Sequence, residues 1–153
     1  KAGFKEENVM ECHGSIHHMQ CTDNCQGMLW SADDTFIEIE EGFKAKAPLP
    51  SCPFCGAMAR PNILMFGDFG WEYARTNGQR ERLSRWMDKL EEDGAKLAIV
   101  EMGAGTAVPT VRKTSEQIAN RFGVPLIRIN PRESFGAEIQ LPMGAVEALN
   151  GII

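Results

Sequence analysis

The chain has 153 residues, which is enough for one domain with a hydrophobic core or for one compact layer with a small metal-binding module. Its composition, with 43% hydrophobic and 24% charged residues, is that of an ordinary soluble protein, and no apolar run approaches the length of a membrane span. The net charge of −5 and the mixing of basic with acidic residues argue against a protein that binds nucleic acid.

The chain begins with Lys1-Ala2-Gly3, without Met and without a stretch that resembles a signal peptide. We therefore expect a fragment or a processed product. Because no export signal is evident, we expect a reducing, cytoplasmic environment for its five cysteines.

The first candidate functional residue is His13. Residues 9–15 predict a short strand that ends at Gly14, which permits a sharp turn, and catalytic groups often lie where a strand ends. Taken alone, a histidine here is better explained as an ordinary surface or capped loop residue. We expect His17 and His18 to be solvated and Cys12 to be a buried strand thiol.

Four cysteines fall in two short pairs that are separated by a longer intervening segment. Cys21 and Cys25 have three residues between them, and Cys52 and Cys55 have two. Turn-forming residues lie within or beside both pairs, so each pair suits a tight knuckle. Four converging thiolates predict a closed, structural zinc site. Two disulfides in an exported protein are the alternative.

The segment between the pairs contains an alternating apolar and acidic stretch at 35–41, which predicts an exposed strand of a small zinc ribbon. After the second pair, the continuous apolar run from Ile63 to Phe66 predicts a buried strand. We therefore divide the chain into a zinc-ribbon module at 16–58 and a Rossmann-like part formed by 1–15 and 59–153.

The C-terminal part alternates between helical and strand patterns. Apolar residues at helical spacing predict a helix over 77–93 with a core face made of Leu83, Trp86, Met87 and Leu90. The following segments predict a strand at 97–100, a glycine-rich turn at 102–106, a helix at 109–122 that ends at Gly123, a strand at 124–129 and a short helix at 141–149.

The order strand, glycine-rich turn, helix and strand predicts one parallel unit of the kind that binds nucleotides. The helix start offers free N–H groups to an anion or a ribose, and Asn130 follows the next strand. The full GxGxxG fingerprint is absent, so a tight turn in any α/β protein explains this stretch equally well.

Taken together, the ordered motifs resemble the sirtuins, the NAD-dependent protein deacylases. The resemblance rests on His13-Gly14-Ser15, the two cysteine pairs, Arg60-Pro61-Asn62 leading to Phe66-Gly67-Asp68, Gly103-Ala104-Gly105 followed by Val108, and Ile129-Asn130. It covers nearly the whole chain but only the C-terminal part of a sirtuin catalytic domain. The implied fold is α/β, with a Rossmann-like parallel sheet that has helices on both faces and with a small zinc ribbon.

The resemblance also implies roles for individual residues. His13 matches the catalytic histidine, which takes a proton from a ribose hydroxyl of NAD after nicotinamide has left, and the four paired cysteines match the zinc ligands. The segment Phe66-Gly67 resembles the loop that pairs with the acyl-lysine peptide or protein substrate. The implied NAD-binding residues lie on the adenosine side: Gly103, Ala104, Gly105, Thr106 and Asn130.

The chain departs from the sirtuin pattern at several points. Asp68 replaces a usual Glu, Gly105 replaces a hydroxyl residue, and Pro109 comes one position early. The N-terminal half of the domain is absent, so we expect that missing half as a partner and poor activity from the fragment alone. We expect no nucleic acid and no membrane as partners.

Other functions stay open. A zinc-stabilised module that binds proteins without catalysis would use the same ribbon, and ADP-ribosyl transfer would use the same cofactor. A nucleic-acid-binding ribbon fits the negative net charge poorly.

Overall fold

The structure, a computed structural model, describes residues 3–151, and these form two compact units that meet in sequence between Arg85 and Trp86. The first unit contains a 3-10 helix at Glu6–Asn8, strands β1 (Gly14–Cys21), β2 (Leu29–Ser31), β3 (Ile39–Glu40), β4 (Lys44–Ala45) and β5 (Ala59–Ile63), and the start of helix α1 (Ala74–Glu92). The second unit contains the end of α1, then β6 (Ile99–Met102), α2 (Thr110–Phe122), β7 (Leu126–Ile129), β8 (Ile139–Leu141) and α3 (Ala145–Asn150).

The first unit is built on an antiparallel sheet with the order β2-β1-β5. Its centre is polar as well as apolar, because the fully buried Asn62 of β5 donates to Gln20 Oε1 of β1 at 2.9 Å and to the Glu72 carbonyl at 2.8 Å. These bonds fix the chain after β5 against β1. The strands β3 and β4 form a separate two-stranded sheet.

The second unit is built on a parallel sheet with the order β6-β7-β8, so the predicted α/β fold with a parallel sheet is confirmed. Glu101 of β6 and Arg128 of β7 are partners in the strand register, and both side chains are fully buried. Their ion pair is extended by Glu116 of α2, which accepts from Arg128 Nη2 at 2.9 Å. A buried guanidinium needs such partners, since an unpaired charge in the interior is costly.

The two predicted helices at 77–93 and 109–122 are confirmed as α1 and α2. Gly123 ends α2 in the left-handed conformation with φ 62°, as expected for a glycine C-cap. The predicted strands at 97–100 and 124–129 are confirmed as β6 and β7, with shifted bounds.

Two predictions near the start of the chain are wrong. The strand does not end at Gly14 but begins there, since a turn in which the Gly14 N–H donates to the Glu11 carbonyl precedes it. Cys12 therefore lies in this turn and is half-buried, rather than being a buried strand thiol.

The predicted buried strand at Ile63 to Phe66 is also wrong, because β5 ends at Ile63 and Phe66 is 92% exposed. The apolar run alone could not reveal this, since the ion pair between Arg60 and Asp68 turns the chain back at this point.

The predicted core face of α1 is not buried within the described residues. Trp86 is more than half exposed, and the buried residues of α1 are instead the polar Thr76 and Gln79 near its start. The predicted helix at 141–149 begins later, at Ala145, because the short strand β8 occupies the chain up to Leu141.

In the part of the chain that the structure describes, no helix has both the length and the apolar character needed to cross a membrane. The predicted division into a ribbon at 16–58 and a Rossmann-like part formed by 1–15 and 59–153 stays a prediction, and the outermost residues of that part lie outside the described range.

Candidate functional site

His13 lies in the tight turn that leads into β1. Its carbonyl accepts a hydrogen bond from the Leu64 N–H at 3.0 Å, and the following Gly14 pairs with Ile63 at the end of β5. Gly14 has φ 79°, and a side-chain Cβ at this position would collide with the backbone carbonyl of Asn62. Only glycine permits this close approach, so the backbone of His13 is fixed by the pairing of β1 with β5.

Helix α1 holds the other side of the same turn through Glu11. The Glu11 N–H donates to Gln79 Oε1 at 2.8 Å, and Thr76 Oγ1 donates to the Glu11 carbonyl at 3.2 Å. The Glu11 carboxylate forms an ion pair with Arg75. Burial raises the pKa of Glu11, but hydrogen bonds from Arg75 and Ser15 outweigh this and lower the pKa below its usual value.

The other two histidines differ from each other. His17 is exposed as expected, whereas His18 is half-buried and its Nδ1 atom is buried without a hydrogen-bond partner. Burial and the nearby positive charge of Arg75 both lower the pKa of His18, so the neutral imidazole is favoured.

The loop after β5 exposes two aromatic rings and is closed by an ion pair. Arg60 Nη2 donates to both carboxylate oxygens of Asp68 at 2.8 and 2.7 Å, and the Gly70 N–H donates to Asp68 Oδ1 at 3.2 Å. Burial raises the pKa of Asp68, but the hydrogen bonds from Arg60 more than compensate, and the pKa is lowered. The loop therefore presents Phe66 and Phe69 to solvent from a fixed base.

The four paired cysteines converge in the first unit. Their sulfur atoms all lie within 4.8 Å of one another, and the distances from Cys21 to Cys55 and from Cys25 to Cys52 are both 3.7 Å. Four thiolates around a tetrahedral zinc at about 2.3 Å would stand about 3.8 Å apart, so the sulfur atoms fit this metal.

The thiols influence each other's ionisation. A hydrogen bond from the Cys25 backbone N–H lowers the pKa of Cys21 to about 7, while hydrogen bonding to Cys55 raises the pKa of Cys25 to about 12. One thiolate is thus favoured, and its negative charge opposes the ionisation of a second thiol. A bound cation would offset this repulsion.

The glycine-rich turn lies in the second unit, directly after β6. The Gly103 N–H donates to the Ile129 carbonyl of β7 at 2.9 Å, and Gly103 adopts a left-handed φ of 71°, with nothing within 4 Å of the place where a Cβ would lie. A Cβ on Gly105, by contrast, would lie 2.8 Å from Glu133 Oε2. The turn is therefore open at Gly103 and occupied at Gly105.

Asn130 lies beside this turn at the end of β7, as expected. Its side-chain N–H donates to the Ala104 carbonyl at 3.3 Å, and its side-chain oxygen accepts from the N–H groups of Arg132 and Glu133 at 2.9 and 3.0 Å. The structure thus brings Asn130 together with the glycine-rich turn, and the amide holds the two loops in place.

Sequence reasoning missed two residues of this arrangement. The Glu133 carboxylate accepts from both the N–H and the hydroxyl of Thr106, and the Thr106 hydroxyl is the main cause of a lowered pKa of Glu133. Arg112 of α2 donates to the Glu133 carbonyl at 2.9 Å and to the Phe135 carbonyl. The usable signal for Glu133 was Asn130-Pro131, because an Asn before Pro favours the start of a turn and Glu133 lies in that turn.

Comparison with known proteins identifies the family. A model of the Sir2 family matches residues 1–99, which include the His13 turn and all four clustered cysteines. The chain belongs to the Sir2 family.

Curated relatives in this family match most of the chain. The NAD-dependent protein deacylase 1 of Archaeoglobus fulgidus is 32% identical over 128 residues, which is 83% of this chain and 43% of the relative. The NAD-dependent protein deacylase of Thermus thermophilus is 30% identical over 146 residues, or 94% of this chain and 48% of the relative. The Sir2 chain described here thus spans less than half the length of these two relatives.

Solved Sir2 homologues share the fold. A Sir2 homologue in complex with NAD matches with a TM-score of 0.58 and 24% identity, over 94% of this chain and 49% of that chain. A mutant Sir2 homologue in complex with ADP ribose matches equally well over 50% of its chain.

Proposed function

We propose that this chain forms part of an NAD-dependent protein-lysine deacylase, which transfers an acyl group from lysine to the ADP-ribose of NAD and releases nicotinamide. The observation that carries the proposal is the fixed turn before β1, which holds His13 between β5 and α1 in a member of the Sir2 family. The curated relatives that match most of the chain are NAD-dependent protein deacylases by name.

The proposed role of His13 is to take a proton from a ribose hydroxyl through a ring nitrogen. A neutral imidazole suits this task near neutral pH, and the turn keeps its backbone in one position. When bound, NAD would supply the acceptor ribose and nicotinamide as the leaving group.

The proposed adenosine side of the NAD site is made of Gly103, Ala104, Gly105, Thr106 and Asn130. The fit is best at Gly103, where the open space at the Cβ position lets a ribose approach the backbone. Thr106 and Asn130 already make hydrogen bonds within the two loops, so we propose that they position the turn and that Gly103 and Ala104 make the closest approach.

We propose that Cys21, Cys25, Cys52 and Cys55 hold a structural zinc ion. Four thiolates fill a tetrahedral shell, so the metal would hold the two cysteine turns together and leave no position for a substrate. Cysteines that bind zinc instead of forming disulfides fit a reducing compartment such as the cytoplasm.

The proposed partner is an acyl-lysine peptide or protein, which would pair with the loop that carries Phe66. The exposed ring and the Arg60–Asp68 ion pair support this, since a fixed, exposed segment can accept an added strand. We further propose that residues equivalent to the rest of the longer relatives are needed to complete the NAD site. ADP-ribosyl transfer would use the same residues.

The test joins this chain to the part of the Archaeoglobus fulgidus relative that the match leaves uncovered, and measures nicotinamide release from NAD with an acetylated lysine peptide. His13→Ala is expected to lower turnover by about 100-fold or more, because proton transfer by a positioned base contributes that much. His17→Ala, at an exposed position of β1, is the matched control and should keep turnover. Equal rates for the unaltered protein and His13→Ala would leave only the zinc-stabilised binding module.

A further inference from the structure

The hairpin formed by β3 and β4, residues 33–46, is largely exposed. Every residue from Glu38 to Lys46 is exposed, and the aromatic rings of Phe36 and Phe43 are 89% and 95% exposed. In the range that the structure covers, β3 pairs with β4 alone, so one edge of each strand lacks a neighbouring strand. A two-stranded sheet of this kind is only marginally stable by itself and gains from a further strand.

Phe43 is unfavourable at its position for two separate reasons. Its φ of 61° lies in the left-handed region, which a bulky side chain occupies at a cost, and its ring is left in water. A glycine or asparagine would suit the turn better. The folding of the hairpin therefore does not explain why phenylalanine stands at position 43. A partner that covers its ring would explain it.

The charges of the hairpin indicate the chemistry of that partner. Residues 33–46 carry five acidic and two basic side chains, and Lys46 already pairs with Glu38 at 2.9 Å. The excess of negative charge around exposed apolar rings favours a basic segment with apolar residues.

The register of the hairpin defines how such a segment would lie. The Lys46 N–H donates to the Glu38 carbonyl at 2.8 Å, so the N–H and C=O groups of Ile39 point to the free edge of β3. The side chains of Glu38 and Glu40 share one face of the hairpin, and Ile39 lies on the other with Ala45. A strand added at this edge would place basic residues beside the two glutamates and an apolar residue beside Ile39.

We propose that the β3 edge is a docking site for a basic, extended protein segment in which Lys or Arg alternates with apolar residues. The segment pairs its backbone with Ile39, its cations with Glu38 and Glu40, and its apolar side chains with Ile39 and Phe43. This surface is independent of the proposed deacylase site, because it uses none of the residues assigned to NAD, zinc or proton transfer.

The test measures fluorescence anisotropy of a labelled peptide of about nine residues that alternates lysine and valine, with the full chain in zinc-containing buffer. The same peptide with glutamate in place of lysine is the charge control. We expect saturable binding of the lysine peptide that weakens by about tenfold or more in high salt, and no binding of the glutamate peptide. Failure of the lysine peptide to bind, or equal binding of both peptides, would overturn the proposal.

Two variants locate the site and separate binding from folding. Phe43→Gly should weaken peptide binding by about tenfold while Tm stays equal or rises, because the left-handed strain is removed. Ile39→Pro should also abolish binding, because it removes the N–H at the free edge without touching a bond to β4. Phe4→Ser, at another exposed aromatic position of the same unit, should change neither quantity. Unchanged affinity in Phe43→Gly, or a lower Tm, would rule out a docking role for this edge.

Discussion

Gly14 fixes the backbone next to His13 through its pairing with β5. The pairing of Gly14 with Ile63 brings two backbones so close that no side chain fits between them. The sequence indicated a turn at this glycine, but it gave no sign of the neighbour from β5, because that contact joins residues far apart in the chain. For the same reason, the start of β1 at Gly14 was mistaken for the end of a strand.

Gly14→Ala is expected to destabilise the first unit far more than an alanine at another left-handed glycine. The added Cβ meets the Asn62 carbonyl, so the strand pairing must open, at a cost of more than about 3 kcal/mol. Gly67→Ala is the matched control, because Gly67 has φ 66° but nothing within 4 Å of the added Cβ, and should cost only about 1 kcal/mol. Urea unfolding gives both values, and similar losses for the two variants would contradict the close approach at Gly14.

At the scale of elements, the cysteine turns lie at the ends of two paired strands, since β1 and β5 are neighbours in the sheet and Cys21 is in register with Ala59. Cys21 ends β1, Cys25 lies in the following turn, and Cys52 and Cys55 precede β5. The Thr22 N–H donates to the Met58 carbonyl at 3.0 Å, which ties the two turns beside the sulfur atoms. A metal held by both turns would add a second connection at the same place and so contribute to the stability of this region.

Cys52→Ser is expected to remove the bound zinc and to unfold the region around the two cysteine turns. A serine hydroxyl is a poor replacement for a buried thiolate ligand, and metal binding is coupled to folding in such sites. Zinc content by atomic emission and protection of backbone amides from hydrogen exchange measure the two effects. Cys12→Ser, outside the cluster, should retain one zinc per chain. Full zinc content in Cys52→Ser would disprove the ligand assignment.

The elements differ in how far the sequence alone could predict them. Helices α1 and α2, the parallel strands β6 and β7 and the four-cysteine cluster were predictable, because each depends on local periodicity or on short spacing. The exposed loop after β5 was not predictable, because its shape depends on the ion pair between Arg60 and Asp68. The sequence does not indicate that these two residues pair. The same holds for Glu133, whose carboxylate fills the space beside Gly105.

At the scale of the whole molecule, both units rely on carboxylates that accept hydrogen bonds in the folded state. Glu11 and Asp68 in the first unit, and Glu133 and Glu138 in the second, all have a lowered pKa. A carboxyl group whose pKa is lower in the folded than in the unfolded chain adds stability above its unfolded pKa, and this stability is lost as the pH falls through its folded pKa. Both units should therefore lose stability in acid.

We expect Tm to hold above a pH of about 4.5, where the carboxylates of the unfolded chain are ionised, and to fall steadily below it. Glu133→Gln tests one contribution, because it removes the ionisable acceptor of the Thr106 N–H and hydroxyl while keeping its size. This variant should lose less Tm between neutral and acidic pH than the unaltered chain, and Thr106→Val should flatten the profile in the same way by removing the hydroxyl donor. Because the two changes interrupt one interaction, combining them should flatten the profile no further. An unchanged acid profile in Glu133→Gln would show that its carboxylate does not hold the glycine-rich turn.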